Sequence, residues 1–233
     1  MRKRKTKFWV AFSILLVAAG IFIFTAKDLS IHGYDEQTSK EDSVSQSTNS
    51  NVEKVNLDGY LFLGDSYTFL LKETIESHNP KASVCAKSGV QPVYWNENFN
   101  TLPDNEQVNG VVLLIGVNGV TYDDNLPNKK MLIDSLVEKY QGKTIYVQKV
   151  FPVGENFENA NPVTFNAAIK SHNEEIENYC QKYDNVIFID STKDLVTDDG
   201  YLKYTYDGLH ISSDKQEVFY NNIEDAINNI NQF

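Results

Sequence analysis

A chain of 233 residues, 41% hydrophobic and 12% aromatic, holds enough apolar material for one domain with a sizeable core and some additional segments. Its net charge of −11 is unevenly spread: Arg2, Lys3, Arg4, Lys5 and Lys7 precede residue 8, and the remainder carries 16 basic against 32 acidic residues. So acidic a body lacks the basic footprint of a nucleic-acid partner, and two cysteines are too few for a disulfide framework.

Residues 1–7 form a basic segment, and residues 8–26 contain no charged side chain. A helix of that length rises about 28 Å, close to the hydrocarbon thickness of a bilayer. The preceding cations favour keeping the N-terminus in the cytoplasm and exporting the rest of the chain. The run is long for a cleaved signal peptide, its end (Ile21 to Phe24) is bulky, and Phe24-Thr25-Ala26 is a poor cleavage site. It therefore reads as an uncleaved single-pass anchor; cleavage would instead release a secreted domain. Residues 27–55 are rich in Ser, Thr, Asn, Gln, Asp and Glu, too polar to offset chain entropy by burial, and read as a disordered linker.

From residue 56 to 233 short apolar runs alternate with helix-period segments. Tyr60 to Leu63 predicts a strand ending at Gly64, Ala82 to Ala86 a second, and Val111 to Ile115 a third ending at Gly116. Thr144 to Val150 and Val186 to Ile189 complete five. Continuous rather than alternating apolar runs indicate strands covered on both faces, as in a parallel sheet. Phe165, Ala168, Ile169, His172, Ile176 and Tyr179 recur at helical spacing, as do Phe219, Ile223, Ala226, Ile227 and Ile230. Ser213 and Gln216 are spaced as a capping box for the last helix. The expected architecture is a doubly wound α/β sandwich, whose functional groups gather at the carboxyl ends of its strands. Cys85 falls in a predicted strand and Cys180 in a predicted helix, which favours two buried thiols over a disulfide. The four histidines are scattered, and no spacing predicts a metal site.

Four blocks carry possible chemistry. In Gly64-Asp65-Ser66 a strand ends, glycine permits a tight turn, and serine stands where a helix begins. Its hydroxyl would sit above the sheet, and its N–H among the free donors of the helix N-terminus. A helix cap is the competing role for such a serine. Asp207-Gly208-Leu209-His210 supplies the base that a serine nucleophile needs and the carboxylate that orients it. Asn118, in Gly116-Val117-Asn118-Gly119, could aim an amide at an oxyanion, although Asn-Gly is also a turn signal. Gly89, after the second strand, could offer an unobstructed N–H.

Taken in order, Gly64-Asp65-Ser66, Gly89, Asn118 and Asp207-Gly208-Leu209-His210 resemble the four blocks of the SGNH/GDSL hydrolase superfamily, over about residues 57–233. The resemblance implies a flavodoxin-like three-layer sandwich with a five-stranded parallel sheet. It implies Ser66 as nucleophile, His210 as general base, Asp207 as its orienter, and an oxyanion hole of the Ser66 and Gly89 N–H groups with the Asn118 amide. It calls for neither metal nor cofactor. In many members the third block reads Gly-x-Asn-Asp, whereas Gly119 stands last here. With glycine at this point the chain is also similar to the extracellular SGNH domains of bacterial peptidoglycan O-acetyltransferases, which follow a membrane segment; those proteins usually carry a large multi-span domain, whereas one span is expected here.

The expected activity is that of an extracellular serine esterase acting on O-acyl, chiefly O-acetyl, groups of cell-wall or surface carbohydrate. Transfer of the acyl group to a glycan hydroxyl is the alternative, and a non-catalytic glycan-binding module is the alternative of another class. Tyr94 and Trp95 are candidates for a wall on which a sugar stacks, or else for core packing.

Overall fold

The computed structural model describes residues 55–230. The expected anchor at 8–26, and the expected linker at 27–55 apart from its last residue, lie outside the described residues. Among the described residues no helix is long and apolar enough to cross a membrane.

All five predicted strands form: β1 (Tyr60–Gly64), β2 (Ser83–Ala86), β3 (Gly110–Leu114), β4 (Thr144–Gln148) and β5 (Val186–Ile189). They make one sheet in the order β2-β1-β3-β4-β5, with every neighbouring pair parallel. Their near-continuous apolar character follows from coverage on both faces. Phe62, Val112, Leu114 and Tyr146 point to a layer holding Leu71 and Ile75 of α1 (Ser66–His78) and Phe219, Ile223 and Ile227 of α5 (Gln216–Ile230). The alternate residues Leu61, Leu63, Val111, Leu113, Ile145 and Val147 meet Leu132, Ile133 and Leu136 of α3 (Asn125–Lys139) and Ile176 of α4 (Pro162–Cys180). Each fully buried Leu, Ile or Phe in these layers contributes about 1.5–3 kcal/mol. The short α2 (Pro92–Glu97) packs on α3.

Local chemistry sets the helix starts. Asp65 caps α1 by accepting from the Tyr67 N–H, and Asn161 caps α4 by accepting from Val163 and Thr164, with Pro162 in its first turn. The expected capping box on Ser213 and Gln216 does not form. Ser213–Lys215 is itself a 3-10 turn, with Ser212 before it, and the Gln216 side chain donates instead to the Ile211 carbonyl at 2.9 Å. Both cysteines are free; Cys180 is buried and Cys85 partly so.

Candidate active site

The chain leaves β1 for the helix layer of α1 and α5, and leaves β3 for the layer of α3 and α4. Neighbouring strands whose connections depart to opposite faces open a crevice at their carboxyl ends. Ser66 stands at the end of β1 and Asn118 beyond the end of β3, so both flank that crevice.

The segment before α5 brings the remaining chemistry to Ser66. His210 Nε2 lies 2.9 Å from Ser66 Oγ, and His210 Nδ1 lies 2.6 Å from Asp207 Oδ2. The second carboxylate oxygen of Asp207 accepts from the N–H groups of Leu209 at 2.9 Å and His210 at 2.8 Å, and from the Thr205 hydroxyl at 3.2 Å. Partial burial alone would raise the Asp207 carboxyl, but the bonds from His210 and Leu209 outweigh it and bring it down to about 2. An ionised Asp207 accepts from Nδ1–H, which leaves Nε2 as an acceptor for the serine hydroxyl.

Contacts with α1 and with residues 154–157 help hold this segment in place. The Tyr67 hydroxyl, one residue beyond the nucleophile, donates to the Leu209 carbonyl, while its ring stacks on Phe151 at 5.4 Å. Gly208 has φ 74°, and a Cβ there would lie 2.4 Å from the backbone of Phe157. Only glycine meets both demands.

Ser66, Ser88, Gly89, Asn118 and His210 line one cleft of about 260 Å³, together with Phe69, Leu70 and Leu209. The predicted nucleophile, base and oxyanion donors are thus brought together. One Asn118 amide hydrogen goes to the Val90 carbonyl at 3.1 Å, which fixes the side chain and leaves the second hydrogen. Asn125 donates to the Asn118 carbonyl at 2.6 Å, tying the turn to the start of α3. The departure at Gly119 has a local cause: φ is 72°, and a Cβ would meet the Gln91 side chain at 2.8 Å.

Tyr94 and Trp95 do not line the cleft. Trp95 is 6% exposed, donates its indole N–H to the Gly64 carbonyl at 3.0 Å, and packs in the core, so it anchors the end of β1. Tyr94 meets Trp95 edge-on at 5.0 Å, with the Lys87 ammonium 4.3 Å from its ring centre. The aromatic ring at the mouth is Phe69, 51% exposed, beside the exposed Leu70. Sequence reasoning missed this pair, yet the signal was present: residues three and four beyond Ser66 share its helix face.

The family model described as GDSL-like lipase/acylhydrolase matches residues 42–217, which include all of these blocks. The chain belongs to that family, and it is an SGNH-type serine hydrolase or acyltransferase. Among solved structures, a GDSL-like lipase from Bacteroides thetaiotaomicron aligns with a TM-score of 0.59 at 19% identity, covering 73% of this chain and 86% of that one. A family 3 carbohydrate esterase from Clostridium thermocellum aligns at 0.55 and 19% identity, covering 73% and 95%. The catalytic domain of peptidoglycan O-acetyltransferase A from Streptococcus pneumoniae aligns at 0.53 and 16% identity, covering 76% and 97%. At these identities the likeness is one of fold. No curated protein matches the sequence.

Proposed function

We propose that this chain is a membrane-anchored extracellular serine esterase that removes O-acyl groups, chiefly acetyl, from cell-wall or surface carbohydrate. The observation that carries the chemistry is the unbroken hydrogen-bond chain from Ser66 Oγ through His210 to Asp207. Ser66 attacks the ester carbonyl while His210 Nε2 takes its proton, and Asp207 steadies the imidazolium. The oxyanion is received by the Ser66 and Gly89 N–H groups and the remaining Asn118 amide hydrogen, each donor worth about 3 kcal/mol in the transition state. His210 returns the proton to the leaving sugar oxygen. It then activates water to release the acid and regenerate Ser66.

Carbohydrate is favoured by the fold shared with a carbohydrate esterase and a peptidoglycan O-acetyltransferase domain. The exposed Phe69 ring beside the nucleophile adds a flat apolar surface for a sugar. The uncharged run at 8–26, with its preceding cations, supports the membrane setting.

The test is turnover of an aryl acetate and of acetylated glycans, with released acetate and acetylated products both measured. Ser66→Ala is expected to lower turnover by at least about 10⁴-fold with the fold intact by circular dichroism, and to abolish fluorophosphonate labelling. Unchanged turnover in that variant overturns the nucleophile assignment. Acetyl accumulating on a glycan acceptor, rather than as free acetate, converts the reading to a transferase.

A further inference from the structure

Asn118 offers its amide from a turn at the surface. Val117 before it is buried, but Thr121 to Asp124 are exposed, and Gly119 has no side chain with which to grip the core. The turn is closed by a series of short-range bonds. The N–H groups of Val120, Tyr122 and Asn125 donate to the carbonyls of Val117, Gly119 and Tyr122 at 3.3, 2.8 and 3.1 Å. This series passes over Asn118: among the described residues its carbonyl accepts from no backbone N–H. It accepts from a side chain instead, because Asn125 Nδ2 lies 2.6 Å from it.

Asn125 is the first residue of α3 and is 1% exposed. An asparagine at a helix start commonly bonds the backbone beside it. Here the side chain reaches back seven residues, and the cap of α3, Asp124, makes no side-chain bond to the helix. Among the described residues Asn125 Oδ1 has no hydrogen-bond partner. Burying an amide with its oxygen unpaired carries a cost that an apolar side chain of the same volume would not. What the amide supplies in return is its N–H, and that N–H goes to Asn118. Beyond Asn125, α3 is set in the core through Leu132, Ile133 and Leu136. The bond therefore ties an exposed turn to a helix that is itself held fast.

We propose that Asn125 is a positioning residue for acyl transfer at Ser66: through the Asn118 carbonyl it fixes the oxyanion amide against α3. A second tie acts on the side chain, since Asn118 Nδ2 gives one hydrogen to the Val90 carbonyl at 3.1 Å. Val90 follows Gly89, so that bond joins Asn118 to the loop carrying the Gly89 N–H. With its main chain held by α3 and its side chain held by that loop, Asn118 keeps its free amide hydrogen at a set spacing from the Gly89 donor across the cleft. When the Asn125 bond is removed, the Asn118 peptide is free to turn and the amide moves with it. An ester still binds, but one donor is displaced from the point where negative charge develops. The loss therefore falls on kcat and spares KM.

The proposal rests on the serine-esterase reading, and the experiment separates the two. Full-length wild type, Asn125→Leu, Asn118→Ala and the double variant are assayed on an aryl acetate. Rates are referred to sites titrated with a fluorophosphonate, whose rate of labelling is followed as well. Leucine keeps the volume of Asn125 and removes the donor. For Asn125→Leu, kcat per titrated site is expected to fall about 10–30-fold with KM within about twofold, and labelling to slow by a similar factor. The double variant is expected to match Asn118→Ala within about twofold, because Asn125 acts only through that amide. A wild-type kcat per titrated site in Asn125→Leu overturns the proposal. So does a double variant lower than Asn118→Ala by the full Asn125→Leu factor. Where Asn125→Leu does not fold, Asn125→Asp, which keeps the shape and lacks the N–H donor, replaces it under the same outcomes. A wild type that labels but does not hydrolyse overturns the esterase reading, and the labelling rates still decide the role of Asn125.

Discussion

Asp207 and Asp65 flank the same serine and are treated by the fold in opposite ways. Both accept backbone N–H bonds: Asp207 from Leu209 and His210, Asp65 from Tyr67. Asp207 is open to solvent, faces the His210 imidazole and lies at about 2. Asp65 is sealed between β1 and β3 and is pushed up to about 6. Similar bonds thus give opposite shifts, and the difference lies in desolvation together with the side chain opposite. One carboxylate faces the imidazole, and the other is buried behind the turn that carries Ser66.

Activity offers the sharpest way to break this contrast. Asp207→Asn is expected to lower kcat by about 10³–10⁴-fold, because His210 loses the partner that fixes its tautomer. Removal of the oxyanion amide in Asn118→Ala ranks next, with an expected loss of about 10²–10³-fold in kcat. For Asp65→Asn the expected loss is only about tenfold, since every reacting group stays in place. Equal losses in the two aspartate variants, in the same aryl-ester assay, would erase the distinction between them.

Stability against pH gives a subtler test, because the two carboxylates differ in sign. The folded value of Asp207 lies below its ordinary value, so its contribution is full above about 4 and is lost as pH falls toward about 2. The folded value of Asp65 lies above its ordinary value, so its contribution is full below about 4 and is lost as pH rises through about 6. In urea midpoints measured from pH 2 to 8, the acid-side fall is expected to become shallower in Asp207→Asn, with the lowered Asp134 and Asp190 still contributing, and the decline between about pH 4 and 6 to shrink in Asp65→Asn. The smallest effect is assigned to Tyr67→Phe. It removes one hydrogen bond to Leu209, with an expected cost of about 1 kcal/mol in the same urea measurement and a modest fall in kcat.

The strands were legible because a sheet covered on both faces leaves a continuous apolar run in the chain, and Val111 to Ile115 is the plainest case. That Ser66, Gly89, Asn118, Asp207 and His210 would be brought together was legible because each block sits next to such a run or just before the last helix. The burial of Trp95 was not, since an indole beside a catalytic block is equally suited to a sugar and to the core; its bond to Gly64 decides the matter. The complete burial of Lys129 in α3 was hidden for a related reason. A lysine in a helix is ordinarily solvated, and only its register with Leu132, Ile133 and Leu136 hints at the interior. Phe69 and Leu70 were hidden because apolar residues in the first turn of a helix ordinarily face the core, whereas these two are exposed.

The span between Ser66 and His210, 144 residues along the chain, has a consequence for when the enzyme becomes active during its synthesis. A nascent chain that has emerged as far as β5 already holds the nucleophile and every strand of the sheet, but not the base. The closing loop must still cross that distance and dock through Tyr67 before an ester can be cut. Turnover is therefore the last property this fold acquires, and its appearance marks the moment the final segment settles into place.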